Sequence, residues 1–164
     1  MAIKDLIKRL ENEPCFKEWK KTNKDSYLAY AFIMIDEPEK DWQIGYHNKN
    51  GTMTTFTIEK TEIRITPEQE VFKQPATKVK KLNCNNVKVD FDKALDIALV
   101  QQQKKYKKDS PLKRIVILQC LDMGNVWNIT YVTQCFNTLN FKILCSNGKI
   151  KEEKLTPLMD FTTK

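Results

Sequence analysis

A chain of 164 residues with 41% hydrophobic and 30% charged side chains has the length and composition of a folded domain with a sizeable apolar interior. Four glycines and six prolines exclude a collagenous or loop-dominated chain, and a net charge of +7 permits attraction to anionic partners without defining a site. Five cysteines, an odd number without Cys-x-x-Cys spacing, exclude a disulfide framework and predict reduced thiols.

Residues 3–22 read as helix. Ile3, Leu6, Ile7 and Leu10 recur at the spacing of one helical face, and Lys4, Asp5, Lys8 and Arg9 fall on the other. Pro14 belongs in a first turn, so a break is expected near Asn12-Glu13, with Phe16 and Trp19 carrying the stripe onward. The charge among the first nine residues leaves no continuous apolar segment of an export signal, which predicts a cytoplasmic protein. The longest apolar run, residues 27–35, is too short to span a bilayer, so no membrane partner is expected.

That run is apolar on both phases, as in a central strand buried on both faces. Trp42, Ile44 and Tyr46 then alternate with Gln43, Gly45 and His47, and Asn48-Lys49-Asn50-Gly51 supplies hairpin chemistry. A hairpin centred on Asn50 sets Tyr46 opposite Thr54, Ile44 opposite Phe56 and Trp42 opposite Ile58, with the large side chains on one face. His47, on the opposite phase and without a catalytic partner nearby, is expected to be exposed. Ile63 and Ile65 begin a short fourth strand that Pro67 is expected to stop.

Residues 67–87 read as a connector, with Pro75, Lys78, Lys80, Lys81, Asn83, Asn85 and Asn86 on its surface and Val71 and Phe72 pinning it to the body. Asp90 is a plausible N-cap for a helix bearing Phe91, Ala94, Leu95, Ala98 and Leu99 and running to about Lys107. Residues 114–121 form an apolar strand, and residues 126–133 a second alternating one. Leu139, Phe141, Ile143 and Cys145 point inward from its return strand. The tail from Glu152 either extends a strand or packs Leu155, Leu158 and Phe161 as a cover.

Trp127, Ile129 and Tyr131 repeat the Trp-x-Ile-x-Tyr pattern of Trp42, Ile44 and Tyr46 at an offset of 85, and at the same offset Phe56 and Ile58 map onto Phe141 and Ile143. These ten residues read as a repeated core signature. The chain is therefore expected to be α+β, with two repeated helix-then-antiparallel-sheet units and helices on one face. A first unit would span 1–66, the connector 67–87 and a second unit 88–164, the two continuing one sheet or facing each other, with one compact domain as the alternative.

The run Asn140-Phe141-Lys142-Ile143-Leu144-Cys145-Ser146-Asn147-Gly148-Lys149-Ile150 resembles the closing strand of PepSY-type domains, an alternating strand entering a polar glycine turn. Cys145-Ser146 stands where that family usually has Asp-Ala. The resemblance implies a tandem cystatin-like fold without catalytic residues to carry over, in a family whose members are thought to inhibit or modulate partners.

No phosphate loop, nucleophile elbow or paired metal-ligand motif occurs, so no catalytic residue, metal or cofactor is assigned. The expected function is non-catalytic: binding or regulation of a peptide or protein through a sheet face or edge, with homodimerisation through an edge strand also open. An alternative is weak nucleic-acid or anion contact through Lys78, Lys80, Lys81, Lys104, Lys105, Lys107, Lys108, Lys113 and Arg114. Only three arginines are present in the chain, which argues against specific phosphate recognition. A small-molecule cup or enzyme is a further alternative.

Overall fold

A computed structural model of the protein describes residues 2–69 and 78–161. Helix α1 (Ile3–Asn12) buries Ile3, Leu6, Ile7 and Leu10. It ends at Glu13, whose extended backbone (φ −69°, ψ 141°) lets Pro14 take the first position of α2 (Pro14–Thr22). A proline there gives up an N–H that has no intrahelical partner, so the chain breaks between the two helices at little cost. Helix α3 (Phe91–Lys105) starts where the Asp90 side chain accepts a hydrogen bond from Lys93 N at 2.9 Å.

Among the described residues the strands are β1 (Tyr27–Met34), β2 (Trp42–His47), β3 (Met53–Ile58), β4 (Ile63–Gln69), β5 (Pro111–Leu121), β6 (Gly124–Thr133), β7 (Asn137–Leu144) and β8 (Ile150–Pro157). They form one sheet in the order β4-β3-β2-β1-β5-β6-β7-β8, every neighbouring pair antiparallel. The expectation of two repeated helix-then-sheet units is therefore corrected. The protein is a sheet-dominated fold built on one continuous eight-stranded sheet. The physical reason lies in β1 and β5. Both are apolar on both phases, and they pair with each other (Phe32 with Ile117, Met34 with Ile115) rather than closing separate edges.

The hairpin register Trp42–Ile58, Ile44–Phe56, Tyr46–Thr54 is the expected one, and Trp127 pairs with Ile143 on β7. One core lies between the helices and one face of this sheet. Ala31, Ile44, Phe56, Leu118, Trp127, Phe141 and Ile143 all enter it. Phe91, at the start of α3, lies between the two repeated tryptophans, 5.1 Å from the Trp42 ring and 5.7 Å from that of Trp127.

Several local expectations need correcting. Pro67 does not stop β4, because β4 is the sheet's edge and Pro67 falls where the β3–β4 register shifts, between the Thr66–Thr55 and Gln69–Met53 pairs. β5 begins at Pro111 and α3 ends at Lys105. Of the two forms expected for the tail it takes the strand, as β8, with Leu155 40% exposed. His47 is half-buried, its ring 5.0 Å from that of Tyr27. Val71, Phe72 and Pro75 of the connector, and the Phe161 side chain, lie outside the described residues.

Candidate anion-binding groove

At the end of the sheet where β1 begins, a groove of about 690 Å³ opens between α1, α2 and residues 81–85. Helical spacing builds one wall, because Lys4, Lys8 and Glu11 lie four and then three apart and share one face of α1. On α2 the same spacing sets Phe16 beneath and Lys20 at the rim. The opposite wall is Lys81 to Asn85, fastened by Leu82 N donating to Leu28 O at 2.9 Å and by the Tyr27 hydroxyl donating to Val79 O at 2.6 Å. Leu82, Leu28, Phe16 and Tyr46 are buried and give the groove an apolar floor.

Four lysines, Lys4, Lys8, Lys20 and Lys81, therefore surround this floor against one carboxylate, Glu11. Burial holds the Lys20 ammonium below its ordinary pKa; Glu11 opposes that shift and Lys81 adds to it. A lysine already short of solvent and facing another cation gains from an incoming anion. The Tyr46 hydroxyl reaches toward Glu11 at 3.5 Å, and burial raises its pKa far above the phenol range, so it is a neutral donor. Burial, then Glu11, pushes the Cys84 thiol up to about 11, so at neutral pH it is not a nucleophilic thiolate. Among the described residues no group of three or more His, Cys, Asp or Glu could hold a metal ion. The chemistry these groups offer is electrostatic capture over an apolar surface, in a cleft of the size that takes small ligands or a peptide segment.

The basic residues singled out from the sequence are not brought together. Lys78, Lys80 and Lys81 lie near the start of β1, whereas Lys113 and Arg114 lie beside its end, where Ile35 N donates to Arg114 O. Eight strand residues separate those ends by roughly 25 Å. Several of these cations are already paired. Lys80 meets Asp122 at 2.9 Å, Lys113 meets Glu37 at 3.0 Å and Lys105 meets Glu153. Arg114 forks onto Asp36 at 2.8 and 3.1 Å, and this bonding holds the Asp36 carboxyl below its usual range. Lys104, Lys107 and Lys108 are exposed near the C-terminal end of α3. Of the nine, only Lys81 lines the groove.

The sequence places Lys4 and Lys8 on the solvent face of the first helix and does not single out Lys20. The i, i+4 spacing of Lys4 and Lys8 is local; the facing wall of Lys81–Asn85 is not. Of the repeated signature, Ile44, Tyr46, Phe56, Ile58, Trp127, Ile129, Tyr131, Phe141 and Ile143 are buried in the core, and Trp42 is half-buried against it.

No protein-family model matches the sequence, and no curated protein matches it. In fold the chain is similar to the crystal structure of a "putative lipoprotein" from Clostridium difficile 630, with a TM-score of 0.57 and 13% sequence identity over 86% of this chain and 90% of that one. Identity this low shows a shared fold alone. The cytoplasmic expectation is also corrected. The similar structure is described as a lipoprotein, which stands against a cytoplasmic assignment. That assignment rested on unpaired thiols and on the charge pattern of the first residues, and neither physically fixes a compartment. No helix among the described residues is long and apolar enough to cross a membrane.

Proposed function

We propose that the protein is a non-catalytic binding module whose groove between α1, α2 and residues 81–85 takes an acidic peptide segment bearing an apolar anchor side chain. The observation that carries this reading is the lysine rim over an apolar floor, four cations against one carboxylate. Phe16 and Leu82 line the floor against which the anchor would rest, and Lys8 and Lys81 offer exposed charge that draws the peptide in.

Strand addition at an edge is less well supported. β4 carries Arg64 and Pro67 and β8 carries Lys151, Glu152, Lys154 and Pro157, the charge and proline that keep edges from pairing with other chains.

Titrating the protein with a peptide of mixed glutamate and leucine tests the reading, followed through the fluorescence of Trp19, which packs 5.4 Å from both Phe16 and Tyr46. Binding is expected to weaken with salt, and Lys8→Glu with Lys81→Glu to lower affinity about tenfold or more without changing the melting temperature. Equal affinity of the charge-reversed and native proteins would sink the proposal.

A further inference from the structure

The opposite end of the sheet carries a second feature that the groove does not use. There the turn between β6 and β7 presents Phe136 with 74% of its surface exposed and a left-handed backbone, φ 58°. That conformation suits Gly or Asn and strains a bulky residue, so local folding gives no reason for a phenylalanine. The turn is also locked from several sides. The buried Asp109 carboxylate accepts from Thr133 Oγ1 at 2.9 Å and Asn137 Nδ2 at 2.8 Å. Gln134 N donates to Ser110 O at 3.0 Å, and Leu158 N donates to Phe136 O at 2.9 Å.

The same bonds bring two more exposed apolar side chains to this tip. Leu112, 55% exposed, follows the Pro111–Thr133 pair, and Met159, 74% exposed, follows Leu158. Cys135 Sγ donates to Lys108 O at 2.9 Å, which sets Lys107 and Lys108 beside the turn. Both lysines are exposed and in no ion pair among the described residues, unlike the neighbouring Lys113 and Arg114, which Glu37 and Asp36 neutralise.

We infer that this tip is a docking site for an anionic lipid bilayer, with Phe136, Leu112 and Met159 entering the interface and Lys107 and Lys108 meeting lipid phosphates. Exposed apolar side chains presented from neighbouring segments, Phe136 and Leu112 foremost, suit a soft medium that closes around them. A protein partner needs an area of some 800 Å² per side that packs closely, which a projecting tip does not supply. Free lysines flanking exposed apolar residues are the charge complement of an anionic headgroup layer. Docked in this way, the protein would turn its groove, at the other end of β1, away from the membrane.

Co-sedimentation of the full chain with vesicles of phosphatidylcholine alone, or mixed with phosphatidylglycerol, tests the inference. The native protein is expected to bind the mixed vesicles selectively. Phe136→Gly is expected to reduce binding about tenfold or more while the melting temperature holds or rises, since glycine accepts the turn's φ without strain. Lys107→Glu with Lys108→Glu should abolish the preference for phosphatidylglycerol, and Phe136→Trp should retain binding with a blue-shifted emission. Equal binding by the glycine variant and the native protein, or no preference for anionic vesicles, would overturn it. So would a concentration-dependent dimer that Phe136→Gly dissociates in a protein that ignores vesicles, since the tip would then be a protein interface. Peptide capture in the groove is unaffected by these substitutions, so either reading can fail without the other.

Discussion

At Gly45 the absence of a side chain is what lets the Tyr30 ring lie across β2. A Cβ there would collide with Tyr30 Cε1, and the ring is held in place by a 2.9 Å hydrogen bond between the Tyr30 and Thr55 hydroxyls. Gly45→Ala must therefore displace Tyr30 or bend β2, and is expected to cost about 1–3 kcal/mol in urea unfolding. In a Tyr30→Ala background most of that cost should vanish, because the obstacle is gone. The alternation of Trp42, Ile44 and Tyr46 placed Gly45 on the opposite face, but nothing local showed that Tyr30 would occupy it. His47 illustrates the same limit: its phase was legible, while its burial depends on Tyr27 from the neighbouring strand. In the groove, the spacing of Lys4 and Lys8 was equally plain, but the meaning of those residues came from Lys81, which only the folded chain brings across from them.

Elements were the most legible scale. The break at Pro14, the Asp90 cap and both hairpin registers depend on interactions within a few residues or across one turn, so local sequence suffices to specify them. What local pattern treated as equal, packing made unequal. Trp127 is wholly buried in mid-sheet and its indole N–H donates to Val89 O at 2.8 Å, whereas Trp42 is only half-buried. Trp127→Ala is expected to cost about 3–5 kcal/mol and Trp42→Ala clearly less, a difference that paired urea titrations would measure. Equal losses would mean that the two positions are energetically equivalent despite their different burial. The strand ends were less legible because each depends on its neighbour. β4 continues through Pro67 because it is an edge strand whose register shifts there, and edge status is a property of strand order.

For the molecule as a whole, the central pairing of β1 with β5 merges the apolar faces into one interior. That interior raises the pKa of several acids by burial: Cys84 to about 11, Cys145 to about 12 and Tyr131 to about 12, with Tyr46 raised as well. Each is neutral in the folded state beyond its ordinary value of 9.0 for a thiol or 10.0 for a phenol, so the unfolded chain loses these protons first as pH rises. Their contribution to stability is therefore complete below about pH 9 and is lost progressively as pH climbs through the folded values. Urea midpoints should hold steady from pH 7 to 9 and fall at higher pH; an unchanged midpoint above pH 10 would contradict this. By itself the sequence determined the helices, the hairpins and the alternation of the core-bearing strands, because propensity, capping and alternation act over a few neighbours. The tertiary structure alone decided that eight strands share one sheet, that Lys4, Lys8, Lys20 and Lys81 surround one groove, and that Phe136 stands at an exposed tip. Those outcomes depend on contacts between residues far apart in the chain, and such contacts leave no periodic trace in it.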